Sequence, residues 1–149
     1  MTTSSTLNSK FPSAPPDGLA AAVLLAFLAT AGLFYVNIMA AIVDGLVSGI
    51  GLSEGQAGQV GSVNIYGAAL GALTAVFLIR AVPWKILAVV CLVLLIGIDL
   101  VSIGIGTFEA LLPVRAAHGF AGGILTGTAF AVIARTANPD RTFGMLLFV

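Results

Sequence analysis

Five polar side chains lie inside long apolar stretches of the sequence: Asn37, Asn64, Asp99, Arg115 and His118. A charge in hydrocarbon is costly, so an ionisable residue there faces a cavity or a partner. Asp99 and Arg115 stand on either side of a short turn around Gly106 to Glu109, on segments that would run antiparallel. At 1.5 Å per residue, Asp99 falls roughly 12 Å inside the outer end of its segment, and Arg115 roughly 9 Å inside the outer end of the next. An Asp99–Arg115 ion pair is therefore expected. It serves either as a structural clamp that neutralises both charges or as part of a relay for a proton or a substrate. His118 follows about one turn deeper than Arg115 on a nearby face. An imidazole exchanges protons near neutral pH, so His118 is either a member of that relay or a packed, hydrogen-bonded residue. Asn37 and Asn64 carry amides that need partners in hydrocarbon. Both are expected to face inward, bonding across helices or lining a solute path. Tyr35 and Tyr66 each stand two residues from one of them.

Other chemistries lack their residues. Gly119, Gly122 and Gly123 lie within an apolar run and lack the strand that precedes a phosphate-binding glycine loop. There is one histidine, so no histidine pair can hold a metal, and no serine sits in a nucleophile elbow. Cys91, the one cysteine, allows neither an internal disulfide nor a multi-cysteine metal site and reads as a small packing residue. No basic patch suits nucleic acid. The expectation is a protein that is not an enzyme and uses no cofactor and no metal.

The elements that must position these residues follow from composition. Of 149 residues, 59% are hydrophobic and 8% charged, whereas a soluble domain carries about a quarter charged residues. The apolar runs show no polar face, and helices apolar all round lie in a deep core or in lipid. The fold class expected is an all-α membrane protein, a polytopic bundle of transmembrane helices in a lipid bilayer. Residues 1–17, rich in Ser, Thr and Pro, read as a disordered cytoplasmic tail, and residues 18–149 as the transmembrane domain. Spans are expected at about 18–43, 56–79, 84–107 and 110–134, with an incomplete fifth from 142. A Gly-rich loop is expected from Asp44, with Ser53 and Gln56 forming a capping box that starts the second span. Lys10, Arg80, Lys85, Arg135 and Arg141 all fall on the side of the N-terminus, while the opposite loops hold Asp44, Glu54 and Glu109. The positive-inside rule then places the N-terminus in the cytoplasm. Glycines recur at helical spacing: Gly67 and Gly71 in the second span, and Gly119, Gly123 and Gly127 in the fourth. Such small-residue stripes let helix backbones approach closely in lipid.

The stretch Arg115-Ala116-Ala117-His118-Gly119-Phe120-Ala121-Gly122-Gly123 resembles the RxxxGxxxG signature of the major facilitator superfamily, which belongs on the fourth helix. The turn Ala134-Arg135-Thr136-Ala137-Asn138-Pro139-Asp140-Arg141 and the Leu52-Ser53-Glu54-Gly55-Gln56-Ala57-Gly58 entry to the second helix are also similar to that family. The turn before Lys85 departs from it, having Arg80 but no acidic residue and no central glycine. The resemblance implies an N-terminal fragment of a twelve-helix secondary transporter in a bacterial inner membrane. It implies a small solute as substrate, a proton or other coupling ion, and missing C-terminal helices or partner chains. It assigns Arg115 to the proton-linked motif position, and Gly119 and Gly123 to close packing. The alternatives are a self-contained four-helix protein of the small multidrug type or a non-transporting membrane subunit, and an inactive truncated remnant. The first of these needs a central acidic residue in its first helix, and residues 18–43 have none.

Overall fold

The structure, a computed structural model, describes residues 18–146. The tail expected at 1–17 and the last residues of the incomplete fifth span lie outside the described residues. Six helices follow one another, with no strand among the described residues: α1 (Leu19–Asn37), α2 (Met39–Ile50), α3 (Glu54–Ala81), α4 (Trp84–Ser102), α5 (Phe108–Ile133) and α6 (Pro139–Met145). Four of them, α1, α3, α4 and α5, are long and apolar enough to cross a membrane. This is an all-α bundle with the architecture of a multi-pass integral membrane protein.

The starts and stops are written locally. At the head of α3 the Gln56 N–H donates to Ser53 Oγ (3.3 Å) and the Ser53 N–H donates to Gln56 Oε1 (3.0 Å). This reciprocal capping box satisfies two donors that a helix start leaves free. Pro83 precedes α4, and its carbonyl accepts the Ile86 and Leu87 N–H groups. Gly51 ends α2 with φ +74°, a left-handed conformation that glycine adopts without a side-chain clash.

Two segments differ from the sequence expectation. The stretch after Asp44 is helical up to Ile50 rather than a loop. A Cβ at Gly45 or Gly49 would meet nothing within 4 Å, so these glycines occupy exposed helical positions and mark no turn. The interruption falls earlier, at Ile38 (φ −103°, ψ 15°). It moves the chain from one neighbour to another, since α1 packs on α5 and α2 packs on α3. The third span stops at Ser102, not near Thr107. Turn bonds from the Gly104 N–H to the Val101 carbonyl and from the Ile105 N–H to the Ser102 carbonyl take over there. Glycine favours the helix least apart from proline, and Gly104 and Gly106 both fall in this segment.

α5 is the centre. About 61% of its most apolar window is buried, against 22–28% for the other three spans. It can be central because its surface is small. A Cβ at Gly119 would run into the Asn64 carbonyl, one at Gly123 into the Ala68 carbonyl, and one at Gly127 would come within 2.8 Å of Ala75 Cβ. From the other side, a Cβ at Gly67 or Gly71 would strike the carbonyls of Ala116 or Phe120. The glycine stripes of α3 and α5 therefore form one seam with backbone against backbone. A second seam joins α1 to α5, where a Cβ at Gly122 would lie 2.7 Å from the Gly32 carbonyl oxygen. Thr126 Oγ1 donates to the Ala29 carbonyl along it (3.4 Å). Larger side chains fill the contact with α4, where Leu87, Cys91 and Leu95 pack on Ala121 and Leu125.

Candidate functional site

The close approach at Gly119 delivers Asn64 to the interior. Because α3 lies against α5 there, the Asn64 side chain, 1% exposed, reaches past the α5 backbone. Its Nδ2 donates to the Arg115 carbonyl at 3.1 Å and lies 3.1 Å from His118 Nδ1. A carbonyl oxygen only accepts, so this bond fixes which end of the amide faces α5. Nδ2 only donates, so His118 Nδ1 is the acceptor. In the neutral ring the proton then sits on Nε2, which points at Asp99 Oδ2, 3.5 Å away. Asp99 Oδ1 accepts from Arg115 Nη1 at 3.1 Å. One carboxylate from α4 thus joins two cationic or hydrogen-bonding groups held one turn apart on α5, which is the arrangement an (i, i+3) spacing permits.

α1 supplies the wall. Tyr35 is buried, and the Arg115 guanidinium carbon stands 4.8 Å from its ring centroid. The imidazole of His118 lies 5.3 Å from the same ring, tilted by 52°. Cation–π attraction holds Arg115 against this face. The Tyr35 hydroxyl is itself buried without a hydrogen-bond partner among the described residues. The cluster therefore draws one or two residues from each of α1, α3, α4 and α5, at the end of the bundle where α5 begins.

The structure thus brings together Asn64, Asp99, Arg115 and His118. Asn37 stands apart: it is exposed at the last residue of α1 and joins no hydrogen bond of the cluster. Tyr66, two residues after Asn64 on α3, is likewise exposed. Asp99 is also nearer the end of its helix than residue counting placed it, three residues before Ser102, because α4 stops early. Its carboxylate nonetheless sits level with Arg115 and His118, roughly 10–15 Å along α5 from Phe108. Tyr35 is the member that sequence reasoning noted only as a neighbour of Asn37. Arg115 and Tyr35 lie on different spans, and nothing in the spacing of one predicts the other. Among the described residues no group of three or more His, Cys, Asp or Glu side chains could hold a metal ion.

Chemically, the cluster sets one carboxylate between a guanidinium and an imidazole, 3.1 and 3.5 Å away. Asp99 and His118 are adjacent acceptor and donor, and Arg115 responds to the charge on Asp99. Set against family models, curated proteins and solved structures, the chain matches none.

Proposed function

We propose that this chain is the first part of a secondary transporter that moves a small solute across a membrane, coupled to a proton, with its N-terminus in the cytoplasm. The observation that carries this reading is the polar cluster of Tyr35, Asn64, Asp99, Arg115 and His118 in an otherwise apolar bundle. Ionisable groups inside a membrane-spanning bundle mark ion and substrate paths. The resemblance of the Arg115 to Gly123 stretch to the major facilitator signature supports the same reading. In this mechanism Asp99 accepts the proton directly, while the His118 Nε2–H stays on the ring and faces the carboxylate. Arg115 is then released from the carboxylate, and the four helices that meet at the cluster feel the change together. The solute class favoured is neutral or amphipathic, since the spans carry few charges.

A second reading rests on the 3.1 Å Asp99–Arg115 bond: the pair is a clamp between two helices, and nothing is transported. Proteoliposomes holding the complete natural protein and an internal pH dye separate the two. Neutral and amphipathic solutes are added across a pH gradient. The transporter reading expects solute-dependent proton movement that Asp99→Asn abolishes. Folded protein that moves no solute leaves the clamp, and movement unchanged in Asp99→Asn removes the cluster from the proton path.

A further inference from the structure

Where α3 stops and α4 starts, the chain carries two cations that it does not neutralise. Arg80 is the last residue but one of α3 and Lys85 the second of α4, with Val82 and Pro83 between the helices. Both are exposed. Among the described residues neither joins an ion pair, and no acidic residue occurs between Glu54 and Asp99. Lys85 lies instead against an aromatic ring, with Nζ 5.8 Å from the Trp84 ring centroid. Tryptophan settles at the membrane–water interface, and the contact holds the ammonium beside it. The other basic pair at this end of the bundle, Arg135 and Arg141, has Asp140 between its members.

Apolar faces continue from both cations along the spanning helices. Leu73, Val76 and Phe77 precede Arg80 by seven, four and three residues and share its helix face. They are 64%, 52% and 72% exposed. Val89 and Val93 follow Lys85 by four and eight residues and are 60% and 63% exposed.

Charge and apolar surface together select the ligand. A guanidinium and an ammonium both hydrogen-bond strongly to phosphate. A free phosphate would engage the cations and make no use of the apolar faces. A zwitterionic phospholipid brings a cation of its own, which Arg80 and Lys85 repel. An anionic phospholipid has the phosphate, lacks that cation and carries acyl chains for the faces beyond. We propose that the α3–α4 turn binds the headgroup of an anionic phospholipid, with Arg80 and Lys85 on its phosphate and its acyl chains on the apolar faces that continue from them. The site needs only the membrane setting and exists whether or not the chain transports a solute.

Trp84 reports on it directly, being the single tryptophan. The full chain is reconstituted in phosphatidylcholine bilayers, and a fixed fraction of lipid is replaced by phosphatidylglycerol or by phosphatidylcholine carrying bromine, a short-range quencher, on its acyl chains. The expected result is stronger quenching of Trp84 by the brominated anionic lipid. Each basic residue is worth roughly fivefold in affinity for anionic lipid, so Arg80→Gln with Lys85→Gln should bring the two lipids to near parity. Arg135→Gln with Arg141→Gln removes the same charge from the same end and should keep most of the preference. All four residues are exposed, so neither pair disturbs packing. Equal quenching by the two lipids in the unaltered chain overturns the proposal, as does a preference that survives the loss of Arg80 and Lys85. An equal fall in both double variants overturns it in favour of diffuse charge attraction. A preference erased by inorganic phosphate at constant ionic strength overturns it in favour of a free anion.

Discussion

Replacing Gly119 by alanine tests the link between the glycine seam and the polar cluster. The added Cβ would strike the Asn64 carbonyl oxygen and lie 2.8 Å from the carbonyl carbon and 3.0 Å from Ala68 N. Ordinary contact begins near 3.4 Å, so α3 has to retreat from α5 by several tenths of an ångström or more, because backbone cannot rotate away as a side chain can. Overpacking of this kind costs about 1–3 kcal/mol. The retreat also stretches the two 3.1 Å contacts of Asn64, each worth about 0.6 kcal/mol on average in a membrane protein. Alanine returns up to about 1 kcal/mol through its better helix propensity. The net loss is about 2 kcal/mol. Gly97→Ala is the control, since a Cβ there meets nothing within 4 Å, and it should match wild type or exceed it by up to about 1 kcal/mol through the same propensity gain. Both are measured by equilibrium unfolding in mixed non-ionic and anionic detergent micelles, with the single tryptophan, Trp84, as probe. If Gly119→Ala is as stable as Gly97→Ala, backbone contact does not hold α3 to α5, and the placement of Asn64 has another cause.

The remaining predictions concern the cluster and the chain path. His118 is the one histidine, so its ring nitrogens give unambiguous 15N signals. The neutral ring should show the Nε2–H tautomer, and Asn64→Ala should admit the Nδ1–H form and destabilise the protein by about 1–3 kcal/mol. Asp99→Asn and Arg115→Gln should each lower stability, by about 1–3 kcal/mol given that Asp99 is half-open, and the double replacement should recover most of that loss. Double-replacement stability equal to the sum of the single losses would show that the pair does not interact. Gly51→Ala should destabilise by about 1 kcal/mol, because an alanine is strained at φ +74°, whereas Gly49→Ala, in open helix, should not.

Apolar runs, their punctuation and the membrane class were legible in the sequence. Lipid imposes so strong a demand on composition that charge-free stretches and capping signals such as Ser53 and Gln56 reveal the spanning helices. The glycine spacing announced close helix packing, and the structure shows that the two stripes meet each other. The ends were less legible where glycine was taken as a stop. Gly45 and Gly49 sit within a helix, while Gly104 lies in the turn that ends α4 early. Glycine lowers helix propensity everywhere, and the surroundings decide whether that is enough to break the helix.

The polar residues themselves divide the same way. Their presence in apolar spans marks Asn64, Asp99, Arg115 and His118 from sequence alone, because an unsatisfied polar group in hydrocarbon has to find a partner. Which partner it finds depends on which helix lies alongside and at what rotation. That is why Asn37 and Asn64 read alike in sequence but part in the structure: Asn64 lies beside a glycine that lets α3 touch α5, while Asn37 ends α1 on an exposed face. It is also why Tyr35, and the Gly32–Gly122 seam that brings α1 against Arg115, emerge only in three dimensions. Sequence specifies that buried polar groups need partners; helix packing, set by side-chain volume summed over whole faces, determines which ones meet.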